Sequence, residues 1–110
     1  MGLPWIEIKS VDELNHIWNN LLDNAAIFFK HSTRCSISSM VLRSFEREWQ
    51  ADETQLYFID LIAHRDVSIL LAELSKIEHQ SPQIILTKKY EVIYNDSHGT
   101  IDATKIQKLI

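Results

Sequence analysis

Two short, strongly apolar runs, Ala25 to Phe29 and Leu56 to Ile62, alternate along the chain with segments whose apolar residues recur at helical spacing. Runs of that length suit strands covered on both faces, and such strands lie in sheets with helices packed on either side. Ahead of the first run, Trp5 to Lys9 reads as a short strand. Val11, Leu14, Trp18 and Leu21 then mark one stripe of a helix that Ser10 or Asp12 caps and Asp23-Asn24 ends. After the polar break His31-Ser32-Thr33-Arg34, residues Ile37, Val41, Phe45 and Trp49 fall four apart and form a second helical stripe, with Thr33 or Ser32 available as its cap. A third helix carries Val67, Leu70, Leu71 and Leu74, with Asp66 as its cap and Arg65-Asp66 as an ion pair at its start. Gln83 to Thr87 and Glu91 to Tyr94 read as a hairpin turning at Lys88-Lys89, and Ala103, Ile106 and Ile110 mark a last helix. The order β-α-β-α-β-α-β-β-α predicts an α/β fold with a central mixed sheet flanked by helices. The 110 residues suit one domain, residues 1–110, which can bury a core without disulfides or a structural metal. Trp5, Trp18 and Trp49 all stand at apolar positions and are expected in that core.

Charge narrows the function classes. A formal net charge of −4 argues against general binding to nucleic acid or to an anionic membrane surface. No stretch approaches the roughly 20 apolar residues of a membrane span, and the opening segment, Met1 to Lys9, has no apolar run of signal-peptide length. The single cysteine, Cys35, excludes an internal disulfide, so a reducing, cytoplasmic location is expected.

A lone cysteine is often only a small buried apolar residue. Three features set Cys35 apart. It follows a buried strand and opens a helix, where free N–H groups and the helix dipole favour a thiolate. Lys30, His31 and Arg34 precede it, and nearby cations act in the same direction. It also lies two residues ahead of the apolar stripe that starts at Ile37, towards the polar end of the helix. Ser38 occupies the place of the second thiol in a Cys-x-x-Cys pair. It cannot form a disulfide, and it is either a hydrogen-bond donor to the Cys35 thiolate or an ordinary serine of a first helical turn. The expected chemistry is one-thiol exchange: Cys35 takes one half of a mixed disulfide and is released by an external thiol. Ser81-Pro82 is the second signal. A proline just ahead of a strand commonly starts that strand or makes a turn.

Phe29-Lys30-His31-Ser32-Thr33-Arg34-Cys35 and Ile37-Ser38, followed by Arg65, Val67-Ser68, His79, Ser81-Pro82-Gln83 and Ser97-His98, resemble the bacillithiol system redox-active proteins, or monothiol bacilliredoxins. The resemblance runs over nearly the whole chain, and the element order is also that of thioredoxin-like folds. It implies a thioredoxin-like fold and removal of bacillithiol, or another small thiol, from S-thiolated client proteins, with no bound cofactor. By position, Cys35 matches the attacking cysteine, Ser38 the replaced resolving cysteine and Thr33 the threonine of the motif. Arg34 and His31 stand as supporting residues. Pro82 matches a cis proline beside the thiol, where Ser81 offers its backbone to substrate. Ser36 departs from the pattern, since many relatives have proline there, which bears on loop stiffness more than on chemistry.

The five histidines show no H-x-x-x-H pair and no second cysteine to join them, so no metal is expected at a site that would take about four ligands. His31 either tunes the thiolate or is a plain loop histidine, and His79, just ahead of the proline loop, is placed to lie near the site. Two other classes share part of the pattern. A redox-inactive thioredoxin-fold module would bind extended peptides beside Pro82. An iron–sulfur carrier like the monothiol glutaredoxins would use a Cys-Gly-Phe-Ser loop, and Cys35-Ser36-Ile37-Ser38 lacks its glycine.

Overall fold

The computed structural model describes every residue except Met1, Leu22 and Asp52. The reading of the opening segment as free of a leader therefore begins outside the described residues. The strands are β1 (Ile6–Glu7), β2 (Ala26–His31), β3 (Gln55–Asp60), β4 (Gln83–Lys88) and β5 (Glu91–Ser97). The helices are α1 (Val11–Asn19), α2 (Ser36–Glu48), α3 (Arg65–Ser75) and α4 (Ala103–Gln107), with a 3₁₀ turn at His98–Thr100. One five-stranded sheet runs β1-β3-β2-β4-β5. β1, β3 and β2 are parallel, while β4 is antiparallel to β2 and β5 to β4. The α/β class, the mixed sheet and the element order are those expected from the sequence. Among the described residues, no helix is long and apolar enough to cross a membrane.

β2 is the middle strand, and all six of its residues are buried. Successive strand side chains point to opposite faces, so its alternation divides the core in two. Ile27 and Phe29 pack with Phe45, Trp49 and Phe58 on the α2 side. Ala26 and Phe28 pack with Leu14, Val67 and Leu71 on the α1 and α3 side. Burying each of these large side chains stabilises the fold by about 1.5–3 kcal/mol.

Several boundaries differ from expectation for identifiable reasons. β2 runs two residues further, through Lys30 and His31, because pairing with Gln83 on β4 and Asp60 on β3 satisfies their backbone. β1 shortens to two residues: ahead of it the Trp5 N–H donates to the Leu3 carbonyl at 2.8 Å rather than to the ladder, and past it the Ile8 N–H still donates to the Phe58 carbonyl at 2.9 Å. Ser10 caps α1, accepting the Glu13 N–H at 3.1 Å. His64 rather than Asp66 occupies the cap of α3. Asp66 instead accepts the Val67 N–H at 2.9 Å, and among the described residues no Arg65–Asp66 ion pair forms. The hairpin turns one residue later than read, at Lys89 and Tyr90, both with positive φ (53° and 70°). Ile110, expected on the last helical stripe, lies beyond α4 and is exposed.

Candidate functional site

The site lies where β2 and β3 end and α2 and α3 begin. Open α/β sheets commonly bind ligands there, outside the carboxyl ends of their strands. From the end of β2 the chain turns through Ser32 to Cys35, closed by the Cys35 N–H donating to the Ser32 carbonyl at 3.2 Å. Cys35 is the N-cap of α2: its backbone is extended (φ −110°, ψ 119°) and its carbonyl accepts the Ser39 N–H at 3.1 Å. The cap position expected for Thr33 or Ser32 is thus held by the cysteine itself, which makes no side-chain cap bond. The N–H groups of the first turn are left for a negative charge at this end of the helix. Cys35 is half-buried, and Thr33, Arg34, Ser36 and Ile37 around it are exposed.

Ser38 is fully buried. Its Oγ accepts the Ser32 N–H at 3.1 Å and lies 2.7 Å from His31 Nδ1. Among the described residues these are the hydrogen bonds of the Ser38 hydroxyl, so it ties the loop to the strand end rather than bonding to the Cys35 sulfur. His31 is buried on the α2 side against the Phe58 ring, with centroids 5.5 Å apart, and is not an exposed loop residue. Burial holds its pKa below the ordinary value, against the opposing pull of Asp60 and Glu46.

Lys30 points the other way, as strand alternation requires. Its side chain is fully buried on the α3 side, and Nζ reaches His79 Nδ1 at 3.1 Å. It is therefore a partner of His79, not one of the cations gathered at the thiol. Burial lowers its pKa to about 8. Ser68 Oγ lies 3.2 Å from the same His79 nitrogen. Burial, then Lys30 and Arg65, depress the His79 pKa. Arg65 and Ser68 line a hollow of about 240 Å³ with Leu61, Ile69 and His79. A second hollow, of about 300 Å³, shares Leu61 and Arg65 and adds Ile62 and Arg34. The sequence reading singled out neither Ser68 nor Arg65 as a site residue. Both stand among the residues that carry the family resemblance, but with the apolar run ending at Phe29 and Lys30 read as a cation ahead of Cys35, nothing in the sequence tied them to a buried lysine.

The Ser81–Pro82 bond is cis. Pro82 directly precedes Gln83, which pairs with Lys30, so the proline stands across from the end of β2 and the start of the cysteine loop. Its carbonyl accepts the His98 N–H at 2.9 Å, which gives His98 a place: it secures the proline loop from the turn after β5. Cys35, His31, Ser38 and Pro82 are thus gathered at one end of β2, with Ser81 next to them.

A single thiol at the start of the helix after the central strand, on a sheet of this topology, defines a thioredoxin-fold redox protein. A solved thioredoxin-fold protein named as a candidate oxidoreductase is 24% identical, with a TM-score of 0.80 over 94% of this chain and 91% of that one. A thioredoxin from Malassezia sympodialis is 17% identical, with a TM-score of 0.71 over 99% and 89%. One from Schistosoma mansoni is 14% identical, with a TM-score of 0.72 over 96% and 92%. The family model for monothiol bacilliredoxin BrxC matches residues 6–106, and the chain belongs to that family. Its role is in thiol redox chemistry.

Proposed function

We propose that this protein removes bacillithiol, or a similar small thiol, from client proteins by disulfide exchange at Cys35. The observation that carries the reading is the pairing of a half-buried thiol at a helix start with a sealed position three residues on. Ser38 there is buried and held by His31 and Ser32, so release of a bound thiol must come from outside the chain. In the first step the Cys35 thiolate attacks the small-thiol sulfur of a client mixed disulfide. A Cys35–small-thiol disulfide forms and the client leaves as a thiolate. A second small-thiol thiolate then attacks that disulfide, restoring Cys35 and carrying away a symmetrical small-thiol disulfide. Electrons balance without a resident cofactor, since each step breaks one S–S bond and makes one. The Ser81 main chain lies outside the strand pairing, where an extended client segment would align. The client proteins and the thiol belong to a reducing compartment, the cytoplasm.

The test is intact mass spectrometry after mixing the protein with a bacillithiol-modified client, with Cys35→Ser as control. The expected outcome is one bacillithiol mass on the parent protein and none on the variant. Transfer from glutathione or coenzyme A mixed disulfides alone would assign a different small thiol. No transfer from any of the three would leave a peptide-binding module as the better account.

A further inference from the structure

The two hollows beside the cysteine loop have an uneven chemistry. Their polar lining presents Arg34, Arg65 and His79, together with Ser68, whose hydroxyl lies 3.2 Å from His79 Nδ1, and their walls are the apolar side chains of Leu61, Ile62 and Ile69. Among the described residues, neither arginine has a carboxylate within salt-bridge distance, although the chain as a whole carries a net charge of −4. The nearest acid in sequence, Asp66, is occupied by the Val67 N–H. His79 is oriented from behind. The fully buried Lys30 ammonium can only donate, so its 3.1 Å contact makes His79 Nδ1 the acceptor and leaves the ring proton on Nε2. Every polar group the hollows offer from these three side chains is then a donor, and two of the three are cationic. Arg34 is adjacent to Cys35, so a small group disulfide-bonded to that sulfur has this lining one residue away.

We propose that the groove formed by Arg34, Arg65 and His79 recognises carboxylates on the small thiol that exchanges at Cys35. The proposal rests on the exchange reading above and adds the substrate chemistry to it. A guanidinium matches a carboxylate in a two-pronged geometry, and two of them flanking apolar walls suit a compact thiol with acidic ends and a less polar middle. Lys30 acts as a positioning residue, through His79.

The experiment compares two small alkyl disulfides, dithiodiglycolate, which carries carboxylates, and bis(hydroxyethyl) disulfide, which is neutral. The rate of adduct formation on Cys35 is followed by intact mass for the parent protein, Arg65→Ala and Arg65→Lys. The ratio of the anionic to the neutral rate constant cancels any change in the thiol itself. We expect Arg65→Ala to lower that ratio about tenfold, Arg65→Lys to retain part of it, and added salt to lower it in the parent protein. A ratio unchanged in Arg65→Ala, or both rates falling together, would overturn the carboxylate assignment and leave exchange at Cys35 standing. A parent protein inert to both reagents would overturn the exchange reading and this assignment with it.

Discussion

Lys30 and His31 are neighbours in sequence and face opposite sides of the sheet. His31 goes to the cysteine loop through Ser38, and Lys30 goes to His79 beneath the groove. A polar break is the natural reading of His31-Ser32-Thr33-Arg34, because charge and polarity ordinarily leave the core. What the residues do not show on their own is that β3 and β4 both extend far enough to pair with this end of β2. The buried amine has a cost. Its pKa falls from 10.5 to about 8, a difference equivalent to at most about 3 kcal/mol. Replacing it by an apolar side chain of similar length should relieve that cost, because Ser68 can still donate to His79. Lys30→Met is expected to raise stability at neutral pH by about 1–3 kcal/mol in urea unfolding. The sign follows from the depressed pKa: the cost is complete below about pH 8 and fades as pH rises towards 10.5, where the unfolded lysine also loses its proton. The gap between variant and parent should close over that range, and a constant gap would show that packing, not charge, is responsible.

At the scale of elements, the second helix is where period and packing part company. Ile37, Val41, Phe45 and Trp49 are four apart, but on a helix of 3.6 residues per turn each such step rotates by about 40°. Phe45 and Trp49 are buried, whereas Ile37 at the start of the series has turned out to 56% exposure. The buried line runs instead through Ser38, Leu42, Phe45 and Trp49, and its first member is a serine that only its bonds to His31 and Ser32 keep inside. The terminal hairpin was legible in its strands and displaced by one residue in its turn. Lys89 and Tyr90 both take left-handed backbone without a glycine or asparagine to ease it. Lys89→Asn combined with Tyr90→Gly should therefore stabilise the protein by about 1–2 kcal/mol, read as a shift of the thermal midpoint. No gain would mean that the turn is held by contacts outside its backbone.

In the molecule as a whole, the sheet separates two cores, and at one end of β2 His31 faces one side of the sheet and Lys30 the other. That placement makes two histidines part of the folded structure. Burial depresses the pKa of His31, against Asp60 and Glu46, and burial with Lys30 and Arg65 depresses that of His79. As pH falls below the ordinary value of 6.5, the unfolded chain takes up protons that the folded chain resists. Stability should then fall with pH, until the depressed folded values are also passed. His31 should dominate, because His79 is exposed to solvent and its charge is screened. Thermal midpoints measured from pH 7.5 down to about 5 check this: His31→Gln should flatten the decline more than His79→Gln, and equal slopes in all three proteins would contradict it.

The order of strands and helices, the thiol at a helix start and the proline before the fourth strand followed from sequence alone, because hydrophobic period and residues such as proline and cysteine act locally. Which side of the sheet each strand-end residue faces, the sealing of Ser38, the service of Lys30 to His79 and the union of Arg34 with Arg65 in one groove were decided by tertiary structure. Those contacts join residues far apart in the chain, and only the register of β2 against β3 and β4 brings them into reach.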